Sequence, residues 1–160
     1  MGENGLMGTW GEFEAAEPEM AARAAALFRR RKHHVMATLR TDGAPRLSGT
    51  EVSIEGGSFG FGAMAGTVRA RDLQRDPRVA VHCQGIDPPE PDHSLWEGEA
   101  KVSGRAVPVT APSPSDDGPP ADFFTVDLDE VVLTGIAASG DHLVIERWTP
   151  TGGVQRIARH

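Results

Sequence analysis

Thr67, Arg69 and Arg71 follow Gly66 at the start of a short predicted helix, and their types and spacing suit the binding of a phosphate. The first N–H groups of a helix have no partner within it and point outwards, where the helix dipole also favours an anion. A hydroxyl group and a guanidinium beside them add hydrogen bonds to phosphate oxygens. The sequence therefore predicts an anion site here, in a chain with 16 Lys and Arg against 23 Asp and Glu.

Each of these residues also has an ordinary structural explanation. Arg69 and Arg71 lie close to Asp72 and Arg75, and charged side chains on an exposed helix face commonly form local ion pairs. Thr67 is a good N-cap residue, and capping the helix is compatible with contacting a phosphate at the same end. Spacing alone leaves both interpretations open for Arg69 and favours a solvated face for Arg71.

A second group of polar residues lies on the second predicted strand. Arg46, Ser48 and Thr50 alternate with Leu47 and Gly49, so the three polar side chains share one face. A face that carries Arg, Ser and Thr suits a ligand groove better than a packed core. Gly49 would also allow a flat ring to approach the backbone closely.

Other kinds of chemistry find little support in the residues. His33 and His34 are neighbours that would face opposite sides of a strand, and the six histidines lack the spacing of a zinc site. The single cysteine, Cys83, excludes an internal disulfide and lies in an apolar run, which predicts a buried thiol. The chain has no nucleophile elbow, P-loop or dinucleotide fingerprint. We therefore predict no metal site and no protein nucleophile or acid–base pair.

Charge and hydropathy restrict the partners. The formal net charge of −7 disfavours nonspecific binding to nucleic acid or to an anionic membrane. No apolar run approaches the length of a membrane span, and the start of the chain lacks a secretory pattern. We expect a cytoplasmic protein.

The pattern of apolar residues predicts a mainly β protein with a few short helices. Residues 1–16 are expected to be a loose arm, and residues 17–160 a single domain that opens with an amphipathic helix. A short helix is predicted over 68–74, a helix or capping segment at Phe123 and Phe124, and loops over 85–93 and 109–120. Strands are predicted over 34–40, 45–54, 58–62, 78–83, 95–107, 130–138, 142–149 and 154–159. Strands in hairpin order favour an antiparallel barrel, with a sandwich as the alternative.

The order of these segments resembles the pyridoxamine 5′-phosphate oxidase-like superfamily of FMN-binding split β-barrel proteins. The resemblance covers the chain from about His33 to its last residue. It implies a split antiparallel β-barrel that forms a homodimer, with FMN in the groove between the subunits. The segments that carry it are Met36–Leu39, Asp42–Arg46, Gly66–Leu73, Asp76–Val79 and Leu143–Pro150.

The resemblance also implies a set of cofactor-binding residues. In this family a basic residue of the second strand and a Ser/Thr-x-Lys/Arg motif after the third hold the cofactor phosphate. Arg69 stands where lysine is usual, and a guanidinium also binds phosphate. For Trp148, a C-terminal aromatic residue, a place in the core or the dimer interface is the competing interpretation. The implied set is Arg46, Leu47, Ser48, Gly49, Thr50, Met64, Ala65, Thr67, Arg69, Arg71 and Trp148.

Three functions are compatible with this resemblance. The first is an FMN-dependent oxidoreductase that passes hydride to or from a small substrate stacked on the flavin, which itself supplies the redox chemistry. The second is a reductase that uses a deazaflavin, coenzyme F420, whose acidic tail would need a basic groove such as Arg29–Lys32. The third is a flavin- or haem-binding protein without turnover.

Overall fold

The computed structural model describes residues 7–110 and 120–160. Within these residues the helices are α1 (Trp10–Ala16), α2 (Pro18–Arg29) and α3 (Val68–Arg75), with a short 3-10 helix over His93–Leu95. The strands are β1 (His34–Leu39), β2 (Pro45–Thr50), β3 (Val52–Glu55), β4 (Ser58–Met64), β5 (Arg78–His82), β6 (Glu99–Val109), β7 (Ala121–Ile136), β8 (Leu143–Thr149) and β9 (Gly153–Arg159). No helix of the described residues is both long and apolar enough to span a membrane.

The nine strands form one antiparallel sheet that does not close on itself. Along its main path the strand order is β2-β1-β5-β6-β7-β4-β3, so β2 and β3, which follow each other in the chain, are the two edges. β8 pairs with the second half of β7, and β9 pairs with β8. The fold is a split antiparallel β-barrel with a few short helices, as the sequence predicts, rather than a sandwich.

Some predicted segments differ from the observed ones. The strand predicted over 45–54 is divided at Glu51 into β2 and β3, which lie on opposite edges of the sheet. The helix or capping segment predicted at Phe123 and Phe124 is wrong, because both residues belong to β7, where they pair with β4 and β6. Of the loop predicted over 109–120, Val109 is the last residue of β6, and residues 111–119 lie outside the described part.

The prediction of a loose arm over 1–16 is also wrong from residue 7 onward; residues 1–6 lie outside the described part. Thr9 caps α1 through a capping box: its hydroxyl accepts from the Glu12 N–H at 3.2 Å, and the Glu12 carboxylate accepts from the Thr9 N–H at 2.6 Å. Trp10 and Phe13 are buried, and the Trp10 ring stacks on Phe59 at 5.7 Å between centroids. Seven residues are too few for a clear apolar period, so tertiary packing rather than pattern determines this helix.

The core lies between α1, α2 and the inner face of the sheet. Met20, Ala24 and Phe28 form the buried side of α2, and the Phe28 ring packs edge-on against Phe59 at 5.1 Å. Burial of each large apolar side chain contributes about 1.5–3 kcal/mol. Cys83 is buried as predicted, and this burial raises the pKa of its thiol. The candidate site lies around α3, which connects β4 to β5 and packs against β1 and β4.

Candidate functional site

The turn into α3 is built by Gly66 and Thr67. Gly66 adopts a φ of +75°, which an L side chain rarely adopts, and redirects the chain after β4. The Thr67 N–H donates to the Met64 carbonyl at 3.3 Å, and its hydroxyl accepts from the Ala70 N–H at 3.3 Å. Thr67 is therefore the N-cap of α3, as the sequence indicates.

Arg69 spans the opening of the barrel. Its Nη1 donates to the Gly49 carbonyl of edge strand β2, and its Nη2 donates to the Gly62 carbonyl of β4 at 3.2 Å. The side chain is half-buried, and this burial lowers the pKa of its guanidinium. Among the described residues no carboxylate forms an ion pair with it. Arg69 thus leaves a positive charge in a partly desolvated place, where an anionic ligand would be favoured.

Arg46 is held from the side by Asp72. The Arg46 Nε donates to the Asp72 carboxylate at 2.6 Å, and Thr38 and Arg75 donate to the same carboxylate at 3.0 Å each. Asp72 is only 2% exposed. Burial alone would raise its pKa, but the hydrogen bonds from Arg46, Arg75 and Thr38 outweigh this and lower the pKa to about 2. Asp72 is therefore a buried anion that joins α3 to β1 and β2.

The polar residues of β2 share one face of the strand, as predicted, but they differ in how deeply they are buried. Arg46 and Ser48 are partly exposed, whereas Thr50 is buried and its hydroxyl donates to the Glu51 carbonyl at 3.2 Å. Leu47 and Gly49 lie on the opposite, exposed face. The predicted set on this strand is thus divided between two faces of an edge strand.

Met64, Ala65 and Arg71 lie around the same turn. Met64 is exposed at the end of β4, and the Ala65 N–H donates to the Pro120 carbonyl at 3.0 Å. The exposed Arg71 donates to the Gly66 carbonyl at 3.1 Å, so it folds back over the turn. These residues surround the helix start that carries Thr67 and Arg69.

Trp148 is not brought to this cluster. It is 3% exposed and packs against the Phe13 ring at 4.8 Å between centroids, in the core beneath α1. Sequence reasoning gave this core position as the competing interpretation. It missed the role of Asp72, because an aspartate within an arginine-rich helix gives the same local pattern whether it is solvated or buried.

The basic segment Arg29–Lys32 lines a separate open cavity of about 540 Å³. Arg29 donates to the Ile54 carbonyl at 3.1 Å, which does not neutralise its charge, whereas Arg30 pairs with Glu97 at 2.7 Å. Lys32 lies 3.5 Å from Glu51. In the part of the chain that the structure describes, only Arg31 of this segment has no hydrogen-bond or ion-pair partner.

The family comparison matches most of this region. Residues 20–127 match the pyridoxamine 5′-phosphate oxidase family, and this stretch includes β1 to β6, α3 and the cluster around Arg69. No curated protein matches the sequence.

Solved structures share the fold at low sequence identity. PhzG from Burkholderia lata, in complex with tetrahydrophenazine-1-carboxylic acid, has a TM-score of 0.62 and 12% identity, covering 92% of this chain and 91% of that one. A pyridoxamine 5′-phosphate oxidase-related, FMN-binding protein from Nostoc punctiforme has a TM-score of 0.60 and 11% identity, covering 88% and 95%. An F420 reductase has a TM-score of 0.51 and 19% identity, covering 66% and 93%. At these identities the likeness concerns the fold.

Proposed function

This chain belongs to the pyridoxamine 5′-phosphate oxidase family, and from that premise we propose that it is an FMN-binding oxidoreductase. The flavin, when bound, supplies the hydride chemistry, and a small substrate stacks on its exposed face. The protein binds and orients the cofactor. Because the flavin supplies the redox chemistry, this mechanism requires no nucleophile or acid–base pair from the chain.

The charge of Arg69 is the observation that carries the proposal. Its guanidinium is half-buried, bonded to the carbonyls of Gly49 and Gly62, and without a carboxylate partner among the described residues. A phosphate that lies against it would also meet the Thr67 hydroxyl and the first N–H groups of α3. A doubly charged phosphate ester fits this donor set better than a neutral ligand does.

The other residues of the cluster have distinct proposed roles. Arg46 and Arg71 add charge to the phosphate site from β2 and from the far side of the turn. Leu47, Ser48 and Gly49 line the edge strand along which the flavin ring would lie, and Met64 and Ala65 flank it. Thr50 is assigned to support β2 from the core side, and Trp148 is left out of the site because of its burial against Phe13.

We propose that a second copy of this chain completes the groove. Proteins of this fold family are commonly dimers. The outer face of β1 and β2 is apolar, and its registered pairs are Val35 with Gly49, Ala37 with Leu47, and Leu39 with Pro45. Leu47 is 72% exposed and Val35 is 47% exposed. Apolar residues so exposed on neighbouring strands favour association, and β2 also bears the Gly49 carbonyl that anchors Arg69.

A thermal-shift and absorbance screen tests the proposed function. Purified protein is heated alone and with FMN, FAD, coenzyme F420 or haem, and its spectrum is recorded as isolated. FMN is expected to raise the unfolding temperature, because a ligand that binds only the folded state stabilises it by mass action. A protein that neither FMN nor F420 stabilises would contradict the proposal.

Coenzyme F420 is the alternative cofactor, supported by the F420 reductase among the similar structures. Its phosphate would use the same cluster, but its acidic tail needs additional positive charge. Arg30 and Lys32 are already paired with Glu97 and Glu51, so this segment offers less free positive charge than the sequence suggests. We therefore favour FMN, and stabilisation by F420 in preference to FMN would reverse this choice. Binding without any turnover would indicate a flavin carrier instead.

A further inference from the structure

We propose that Asp72 is a positioning residue that presents the two terminal nitrogens of Arg46 to the cofactor phosphate. The inference rests on the proposed function, since it concerns how the same cluster recognises its ligand. Three features of the structure support it: the fixed carboxylate, the partial use of the Arg46 guanidinium, and the link between β2 and α3.

The Asp72 carboxylate has little freedom to turn. One oxygen accepts from Arg75 Nη2 at 3.0 Å, and the other accepts from Thr38 Oγ1 at 3.0 Å and from Arg46 Nε at 2.6 Å. The side chain is inaccessible to solvent and bonded on both oxygens, so rotation would break at least one buried hydrogen bond. Arg75 is itself fixed, because its Nη2 also donates to the Leu39 carbonyl at 2.6 Å.

Arg46 uses only part of its guanidinium on this carboxylate. Elsewhere in the chain Arg78 donates to Asp76 through both Nε and Nη2, and Arg156 meets Glu146 through the same pair of nitrogens. Arg46 donates to Asp72 through Nε alone. Its Nη1 and Nη2 have no partner among the described residues, and together they form the fork that binds a phosphate through two hydrogen bonds.

Asp72 also joins the two elements that carry the phosphate site. It lies three residues after Arg69, one turn along α3, and its partners Thr38 and Arg46 face each other across β1 and β2. The buried carboxylate of Asp72 thus fixes both the position of α3 relative to the sheet and the orientation of the Arg46 side chain. Its one negative charge faces the positive charges of Arg46 and Arg75, so the cluster stays attractive to an anion.

The test separates recognition of the phosphate from binding of the ring. Dissociation constants for FMN and for riboflavin, which lacks the phosphate, are measured by flavin fluorescence for wild type, Asp72→Asn, Arg46→Ala and the double variant. Asp76→Asn is the matched control, since Asp76 is at the end of the same helix and pairs with Arg78. If the wild type prefers F420, the same comparison uses F420 and its phosphate-free chromophore.

We expect Asp72→Asn to weaken FMN binding about 10-fold and riboflavin binding less than about 2-fold. An Arg46 side chain that is no longer held in place loses its charge-assisted contact with the phosphate, and this loss outweighs the removal of one negative charge from the cluster. The double variant should bind FMN about as weakly as Arg46→Ala alone, because the two residues act through one contact. Asp76→Asn should bind both flavins like wild type. An unchanged ratio of the FMN and riboflavin constants in Asp72→Asn, or full additivity with Arg46→Ala, would overturn the inference.

Two further outcomes are distinguishable. If Asp72→Asn does not fold, Thr38→Val removes one donor from the same carboxylate. A change in the ratio of the FMN and riboflavin constants below about 2-fold in that variant overturns the inference, and a larger one supports it. If wild type binds neither FMN nor F420, the proposed function fails, and the inference fails with it.

Discussion

The guanidinium of Arg69 donates a hydrogen bond to the backbone carbonyl of Gly49, so a side chain of α3 is anchored on the edge strand β2. Its second bond, to Gly62, reaches β4. The residue expected to bind phosphate therefore also links β2 to β4 through its two hydrogen bonds. Ligand affinity and local stability are coupled through one side chain.

Arg69→Ala is expected to weaken FMN binding by about 10- to 100-fold, because a charge-assisted contact to the phosphate contributes about 1.5–3 kcal/mol. Riboflavin affinity should fall much less. Isothermal titration with both flavins measures the difference. Arg71→Ala is the comparison variant, since Arg71 is exposed and among the described residues hydrogen-bonds only to the Gly66 carbonyl. Its smaller share of the charge at the site should give a loss below about 3-fold. Equal losses for the two variants would contradict the central role of Arg69.

The packing of α1 makes a prediction about stability. Trp10→Ala is expected to reduce the free energy of unfolding by about 3–5 kcal/mol, because it empties a buried site against Phe59. Thr9→Ala should cost about 1 kcal/mol through loss of the helix cap. Urea denaturation measures both changes. A loose arm would make either substitution neutral, so losses below about 0.5 kcal/mol would contradict the structure of this segment.

The fold was predictable from the sequence because most of its strands are short and are separated by turn residues. Gly43, Gly56 and Gly57, which lie in the turns between these strands, have positive φ values. Phe123 and Phe124 were not predictable, because their strand is defined by partners distant in the chain, on β4 and β6. Local pattern contains no information about such partners.

The site was predictable in its residues and less so in its connections. Thr67 as a cap and the shared face of Arg46 and Ser48 followed from helix and strand periodicity. That Asp72 is buried, and that Arg69 bonds to the carbonyl of Gly49, depends on how α3 lies over the sheet. Sequence spacing does not determine this docking.

Acid should destabilise the protein partly through Asp72. Its pKa in the folded state is about 2, below the ordinary value of 3.8, so its ionised form stabilises the fold above about pH 4. This contribution is lost as the pH falls from about 4 to 2, where the folded protein must take up the proton. Asp72→Asn should therefore flatten the pH dependence of the unfolding temperature in this window. A variant that keeps the wild-type slope between pH 4 and 2 would contradict the assignment.

The apolar outer face of β1 and β2 predicts that oligomeric state and cofactor binding change together. Leu47→Asp places a charge at a site that is 72% exposed in one chain, so the monomer should fold normally while the dimer is weakened. Light scattering after size exclusion is expected to give the monomer mass, and FMN affinity should fall because the groove lacks its second wall. Leu95→Asp, at an exposed position of the short 3-10 helix, is the control and should leave both unchanged. A Leu47→Asp variant that stays dimeric would exclude this face as the interface. A monomer that retains wild-type FMN affinity would show that one chain suffices to bind the cofactor.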